Sequence, residues 1–404
     1  MGLFILIKMR DYKTSYKILK SSLEEKGVNV GKVEKKLKTL KIETPSWGYS
    51  DSGTRFAIFK QNGAAKSVKE KIQDAAEVHK ITGICPSIAL HIPWDMTDNW
   101  NTLLEYSLSL GIKPGAINPN LFQDQDYKLG SLCNPDKKVR KKAINHVLEC
   151  IGIAKTLKSK DISLWLGDGT NYPGQDDMRE RKHRLEDSLK EIYDNLPDDM
   201  RILIEYKFFE PAFYNTEIAD WGMAYNLCMK LGNRAMVLVD LGHHALGTNI
   251  EQIVAYLLDE EKLGGFHFNN KKYADDDLTV GSINPYEFFL IFNELVSAEE
   301  DGIKADIAYM IDQCHNLKPK IEEMIQSVEN IQKTYAKALI VDRKSLRKFQ
   351  QDEDIIMAEK VLTEAFEADI TPLLFKVREE MGLPLDPLEF FRGSGYLEKI
   401  QRQR

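Results

Sequence analysis

The sequence predicts an α/β protein, a (β/α)8 barrel of the TIM type with a C-terminal helical extension. Short apolar runs alternate with helical stretches about eight times, which is the pattern of strands and crossover helices. Several runs end in acidic, imidazole or aromatic side chains, and a parallel barrel carries its functional groups at the C-terminal ends of its strands. A doubly wound sheet is the alternative, but no G-x-G-x-x-G follows any predicted strand.

The first four predicted strands follow a charged amphipathic segment that reaches about Leu40. Each is an apolar run bounded by turn residues. In order, they are IETPSW ending at Trp47, SIALHIPWD ending at His91, GAINPN, and DISLWLGDG ending at Trp165. Helices are predicted from about Ser67 to Thr82, from Asn99 to Leu110, and from Asn134-Pro135, where Asn would cap the helix and Pro would stand in its first turn.

The remaining four predicted strands carry most of the polar chemistry. They are ILIEY, AMVLVDL, GGFHF, and KADIAYMIDQ ending at Asp312. Further helices are predicted near Glu217–Leu231, near Asn249–Asp259, and from Pro285. Beyond residue 319 the pattern is helical only. The predicted division is therefore an N-terminal helical segment (1–42), the barrel with its site (43–318), and a helical extension (319–404) assigned to oligomer contacts.

Composition limits the class of protein. The net charge is −7 and the pI is about 5.8, which gives little support to a nucleic-acid partner. The opening MGLFILIKMR is too short for a signal peptide or a membrane helix, and no later run reaches the ~20 apolar residues that a span needs. The five cysteines form no C-x-x-C pair, so free thiols in a reducing cytoplasm are expected.

Potential metal ligands collect at the ends of strands five to eight. One ion is predicted to bind Glu205, Asp240, His267 and Asp312. A second is predicted to share Asp240 as a bridge and to bind His243, Asp275 and Asp277. The donors are oxygen and imidazole without thiolate, which favours Mn, Mg or Co over a structural Zn. Taken singly, each acid could be solvated and His267 could be a core histidine, but buried strands seldom end in charged groups without a partner.

Other residues are candidates for contact with a substrate. Lys207 faces the same side as Glu205 and could bind a substrate oxygen, or form a salt bridge only. His91 could bind a hydroxyl, or pack in the core. Aromatic residues at strand ends and in the loops suit the apolar face of a sugar ring, although barrel packing would use them equally. These aromatics are Trp47, Phe122 and Trp165, with Phe56 in the loop after the first strand, where it would be a lid, a partner contact or part of the core.

The longer motifs resemble the L-rhamnose isomerase family, in the branch that acts on several aldoses. The similarity runs from about Pro45 to the end of the barrel and on to VDRKSL. It is carried by WGYSDSGTRF, SIALHIPWD, NPNLFQDQ, LWLGDGTNYPGQ, EYKFFEPAFY, VDLGHHALGTNIE, LGGFHFNNKKYADDD, INPYEFFLIFNEL and MIDQCHN. The resemblance implies a barrel of the xylose-isomerase type, two divalent ions that are often Mn, interconversion of an aldose and a ketose, and a homotetramer.

The resemblance also implies roles for single residues. The first ligand set matches the structural ion and the second matches the catalytic ion. Lys207, His91 and Trp165 match substrate contacts, with Lys207, His91 and Asp312 as the catalytic groups. Trp47 and Phe122 match an apolar wall, and Phe56 matches a loop aromatic that closes the pocket of a neighbouring subunit. Asn270 stands where relatives often carry Asp, a difference that concerns only the charge of the loop.

The expected reaction is the conversion of L-rhamnose to L-rhamnulose, and of related aldoses, by a metal-assisted 1,2-hydride shift. A cis-enediol route with a carboxylate base is the alternative mechanism. Mn is the first choice of metal, with Co, Mg and Zn as alternatives. Rival functions are a ketose 3-epimerase, which would need one ion and two glutamates, a metal-dependent endonuclease, and a non-catalytic carbohydrate-binding protein.

Overall fold

A computed structural model describes residues 12–52, 57–167, 169–170, 172–210, 214–274, 276–314 and 316–404. Phe56 and Asp275, two of the predicted site residues, lie outside these ranges. Eight strands form the barrel. They are β1 (Glu43–Pro45), β2 (Ser87–Ile92), β3 (Lys113–Pro119), β4 (Asp161–Leu164), β5 (Arg201–Glu205), β6 (Ala235–Asp240), β7 (Leu263–Phe268) and β8 (Ala308–Ile311). A short antiparallel hairpin of Phe209–Glu210 and Tyr214–Asn215 follows β5.

The barrel is closed and all of its pairings are parallel, in sequence order from β1 to β8 and back to β1. Register decides which strand-end residues meet. Asp240 pairs with His267 across β6 and β7, and His267 pairs with Met310 across β7 and β8. The backbone N–H of Asp312 donates to the carbonyl of Phe268 at 3.0 Å. The polar ends of these strands therefore lie side by side at one mouth of the barrel, as the predicted fold requires.

Helices surround the barrel. They are α1 (Tyr12–Glu25), α2 (Val30–Thr39), α3 (Val68–Thr82), α4 (Trp100–Ser109), α5 (Lys137–Leu157), α6 (Met178–Asp194), α7 (Trp221–Leu231), α8 (Ile250–Asp259), α9 (Pro285–Glu300), α10 (Lys320–Leu339), α11 (Arg343–Gln351), α12 (Ile355–Glu367), α13 (Thr371–Glu380), α14 (Pro387–Gly393) and α15 (Tyr396–Gln403). Local signals explain their starts: Ser67 and Glu70 form a capping box at α3, and Asn249 caps α8. Among the described helices, none has the length and apolar character to span a bilayer.

Alternation along the strands separates two apolar layers. In β7, Phe266 and Phe268 face outward, and Phe268 packs on Phe288 of α9, while His267 points into the barrel. A small cluster fills the barrel below the mouth: Ala89, Ala116, Leu203, Leu238 and Met310. A Cβ at Gly264 would come within 2.4 Å of Met236 Cβ, so this crowded floor requires glycine there. The barrel interior is thus filled by apolar side chains at its floor and is polar at its mouth.

The N-terminal and C-terminal helices pack against the same side of the molecule. Helix α10 contacts α9 and α3 of the barrel layer, and also α2. Helix α13 contacts α1 and α2. The extension therefore wraps the barrel of its own chain, whereas its assignment to oligomer contacts and the three-part division stay predictions.

Two local predictions are corrected, and the N-terminal helical segment is described in more detail. The helix after β3 begins at Lys137 with Asp136 as its cap, because Asn134 Oδ1 instead accepts from the N–H of Asp136 in a turn before the helix. The amphipathic N-terminal segment contains two described helices that separate near Gly27, which has a φ of 83°. Trp47 lies past β1 in a 3-10 turn, Ser46–Tyr49.

Candidate metal centre and active site

Four of the predicted ligands meet at the mouth of the barrel. One ligand atom from each of Glu205, Asp240, His267 and Asp312 lies within 4.8 Å of the others. His267 Nδ1 is 3.2 Å from Glu205 Oε1, 3.7 Å from Asp240 Oδ2 and 3.5 Å from Asp312 Oδ2. These four come from the ends of β5, β6, β7 and β8, so the closed barrel brings together residues that are more than 100 positions apart in sequence.

The donor set fits a divalent cation. His267 Nδ1 is buried and has no hydrogen-bond partner among the residues that the structure describes. Three carboxylates and one imidazole converge there. Buried charges of one sign normally require a partner of opposite charge or a metal. A cation bound by these oxygens and this nitrogen would supply it, and hard or borderline ions suit such ligands.

Charge and burial set the protonation of the metal-free cluster. Burial raises the pKa of Asp240 to about 7, and the carboxylates of Glu205 and Asp312 contribute to the rise. For Glu205 burial also raises the pKa, but the charge of His267, a hydrogen bond with His243 and the charge of His243 outweigh it and lower the pKa of Glu205 to about 2. For His267 burial favours the neutral ring, yet the surrounding carboxylates raise the pKa to about 9. A bound cation would therefore replace protons held by the cluster.

Two members of the second predicted ligand set lie beside the first. His243 Nδ1 lies 3.1 Å from the carbonyl of Tyr206 and 3.1 Å from Glu205 Oε1, and Nε2 lies 4.0 Å from Asp240 Oδ1. A ring N–H donated through Nδ1 fixes the tautomer and directs the Nε2 lone pair to the site. Asp277 lines the same cavity and has a φ of 46°, in the left-handed region. The role of these residues as ligands stays a prediction.

The cavity above the cluster has a volume of about 180 Å³ and a largely aromatic wall. Phe122 packs edge-on against Trp165, with 4.7 Å between the ring centroids, and His91 stacks on Trp94, with 3.7 Å between the ring centroids. The predicted aromatics Trp47, Phe122 and Trp165 all line it. Trp47 also donates its indole N–H to Asp312 Oδ1 at 2.7 Å, so this residue joins the apolar wall to the ligand cluster.

Lys207 and His91, two predicted substrate contacts, are both buried, and His91 lines this cavity. Lys207 Nζ donates to Glu210 Oε2 at 2.7 Å and lies 5.0 Å from the ring centroid of Trp165. His91 Nδ1 has no hydrogen-bond partner in the described part of the chain. Burial lowers the pKa of His91 to about 3, with the charge of Lys71 acting in the same direction, so the ring is neutral and able to bind a hydroxyl group.

Sequence reasoning missed several polar residues that face the site. Asn269 donates to Asp240, while Asn118, Ser163 and the aromatic Trp94 line the cavity. Ser163 Oγ and Trp165 Nε1 are buried without a partner among the described residues. The alternation of strand side chains was the available signal, since Asn269 follows His267 by two positions and Ser163 precedes Trp165 by two.

Cys314 lines the cavity, and its thiol donates to Asp277 Oδ2 at 3.1 Å. The other four cysteines are buried. We therefore expect iodoacetamide to alkylate Cys314 first in metal-stripped protein, and Mn with a sugar to slow that reaction. Peptide mass spectrometry over time measures both, with Cys314→Ser as the control. Equal rates with and without metal and sugar would contradict this placement.

Comparison with known proteins agrees with this architecture. Residues 60–305 match the xylose isomerase-like TIM barrel family. A probable sugar isomerase of Rhizobium meliloti (strain 1021) is 43% identical over 401 residues, covering 98% of this chain and 92% of the relative. A probable sugar isomerase of Mesorhizobium japonicum is 42% identical over 400 residues, covering 98% and 93%.

Solved structures share the fold at low sequence identity. An L-ribulose 3-epimerase has a TM-score of 0.52 and 15% identity, covering 78% of this chain and 98% of its own. The IolI protein, solved with a zinc atom, has a TM-score of 0.50 and 17% identity, and the match covers 74% of this chain and 98% of the IolI chain. At these identities the likeness concerns the fold alone. From the family match and the two relatives that align along nearly its whole length, the chain belongs to the xylose isomerase-like TIM barrel family.

Proposed function

We propose that this protein is a metal-dependent aldose–ketose isomerase that converts L-rhamnose to L-rhamnulose and accepts related aldoses. The observation that carries the proposal is the cluster of three carboxylates and one imidazole, buried except for the half-buried Asp312, at the floor of an aromatic cavity. The motifs that resemble the L-rhamnose isomerase family and the two relatives named as probable sugar isomerases support the same reaction class.

Two divalent ions are proposed, with Mn as the first choice and Co, Mg or Zn as alternatives. Glu205, Asp240, His267 and Asp312 would hold one ion. Asp240, His243, Asp275 and Asp277 would hold the other. The position of His243 Nε2, at 4.0 Å from Asp240 Oδ1, supports a second ion that shares the Asp240 carboxylate. Oxygen-rich donors favour these metals over ions that prefer thiolates.

The residues of the chain have separate tasks in the proposed reaction. Bound cations would polarise the carbonyl and hydroxyl oxygens on C1 and C2 of the open-chain sugar. Trp47, Phe122 and Trp165 would pack on its apolar face and exclude water. Lys207 and His91 would bind hydroxyl groups. Asp312 would hold a water molecule that moves the proton between O2 and O1 while hydride passes from C2 to C1.

A homotetramer acting in the cytoplasm is proposed, with Phe56 closing the pocket of a neighbouring subunit. The side chains of Ile58 and Phe59, just after that loop segment, are 65% and 55% exposed. Apolar side chains exposed together often mark a contact surface between chains. The five free cysteines suit a reducing compartment. Light scattering of the protein in solution measures its oligomeric state, and a monomer would reject this arrangement.

Metal removal followed by Mn addition tests the function. We expect metal-stripped protein to leave L-rhamnose unchanged and Mn to restore its conversion to L-rhamnulose, because the cations supply the polarisation of both oxygens. D-Allose and L-mannose assayed in parallel rank the substrates. Ketoses assayed for inversion at C3 serve as the comparison. Bound metal with inversion at C3 and no aldose turnover would replace the isomerase by an epimerase.

A further inference from the structure

Asn269 lies immediately past β7, and its side chain turns into the barrel beside Asp240. It is fully buried. Its amide nitrogen Nδ2 lies 2.9 Å from Asp240 Oδ1 and 3.1 Å from Asp240 Oδ2. An ionised carboxylate has only acceptors, so the amide NH2 group must be the end that faces it. Asn269 therefore donates to a carboxylate of the ligand cluster.

Among the described residues, Asp240 is the only hydrogen-bond partner of the Asn269 side chain. Its Oδ1 atom is buried and has no hydrogen-bond partner among the residues that the structure describes. A buried amide with one end unpaired is costly. Asn269 consequently has one described side-chain interaction, and that interaction is with Asp240.

The geometry fixes the orientation of the Asp240 carboxylate. A donor almost equidistant from both oxygens spans the edge between them. The backbone N–H of Gly242 donates to Oδ1 at 2.7 Å from a second direction. Oδ2 then points to the cluster, 3.7 Å from His267 Nδ1. Rotation of the carboxylate would break these hydrogen bonds, so Oδ2 is held toward the place where a cation would sit.

We propose that Asn269 is a positioning residue of the metal centre, which locks the Asp240 carboxylate so that Oδ2 faces the ion. The inference rests on the proposed function in one respect, the assignment of Asp240 as a ligand. Asn269 acts through Asp240. Partners that orient a ligand typically contribute about 10-fold to 100-fold in metal affinity.

Two substitutions test the proposal. Asn269→Leu removes the donor at similar volume, and Asn269→Asp keeps the shape but places an acceptor against Asp240. We expect the Kd for Mn, measured by titration calorimetry and by electron paramagnetic resonance on chelator-stripped protein, to rise by about 10-fold to 100-fold in both. At saturating Mn, kcat should recover in Asn269→Leu, since the residue acts on metal binding.

Asn293→Leu is the matched control, because Asn293 is a buried asparagine of α9 whose Oδ1 accepts from Arg343 Nη1 at 2.8 Å. It should destabilise the fold without changing the Kd for Mn. Circular dichroism in chelator verifies that each variant is folded. Wild-type Mn affinity in folded Asn269→Leu or Asn269→Asp would overturn the proposal. The wild-type protein could also isomerise no aldose while both Asn269 variants show a higher Kd for Mn. That result would support the positioning role of Asn269 and reject the proposed function.

Discussion

Asp240→Asn should lower kcat/KM for L-rhamnose by on the order of 10³-fold or more in protein incubated with Mn. The substitution removes the charge of the residue proposed to be shared by both ions. Loss of several kcal/mol of charge stabilisation from the metals corresponds to a rate factor of that size. The variant should also retain less Mn after dialysis, which metal analysis measures directly.

The same substitution should leave the metal-free protein at least as stable as the wild type. Burial raises the pKa of Asp240 to about 7, above its ordinary value of 3.8, so the folded state binds this proton more tightly than the unfolded state. Stability from this group is therefore present at low pH and is lost as the pH rises through about 7. Asparagine carries no charge, while its carbonyl oxygen can still accept from Gly242.

Thermal unfolding in chelator at about pH 8 and about pH 4 separates the two effects. The melting temperature of Asp240→Asn should equal or exceed that of the wild type at the higher pH, and this advantage should shrink at the lower pH. Asp198→Asn, an exposed carboxylate in the loop before β5, is the control and should change neither activity nor stability. Full activity in Asp240→Asn would reject its role as a ligand. Clear destabilisation of Asp240→Asn at pH 8 would show that the hydrogen bonds of the Asp240 carboxylate outweigh the cost of burying its charge.

The barrel could be predicted from sequence because its strands are short apolar runs with distinct ends. The ends of β5 to β8 place Glu205, Asp240, His267 and Asp312 at one rim, and no long-range information is needed beyond the parallel arrangement. The first residue of the helix after β3 was harder to predict. Asn134 and Asp136 are both good caps, and only the turn that Asn134 forms with the Asp136 N–H decides between them.

The remaining parts of the site depend on register and on neutral side chains. Asn269 has no charge, so the sequence alone does not indicate that it belongs to the site. The pairing of Asp240 with His267 is what places Asn269 beside a carboxylate. Cys314 follows Asp312 by two positions and could have been assigned to the same face of the chain. The hydrogen bond from Trp47 to Asp312 joins residues 265 positions apart, and only the closed barrel shows it.

Lys207→Met should lower kcat/KM by about 10-fold to 100-fold, the range expected for loss of a hydrogen bond from a charged donor. The structure shows the alternative role directly, because Lys207 Nζ is paired with Glu210 Oε2 at 2.7 Å. If that salt bridge were the whole function of Lys207, Glu210→Gln should have the same effect. If Lys207 also binds the sugar, Glu210→Gln should cost far less activity than Lys207→Met.

Burial makes the two variants distinguishable. The Lys207 side chain is 4% exposed, whereas that of Glu210 is 27% exposed, so water can replace much of what the carboxylate provides. Steady-state kinetics of both single variants and the double variant form a thermodynamic cycle. A substrate role predicts that Lys207→Met is equally harmful with Glu or Gln at position 210. The salt-bridge role predicts that both single variants lose the same amount of kcat/KM and that the double variant loses no more. In that case Lys207 serves only to hold Glu210 and the hairpin that carries it.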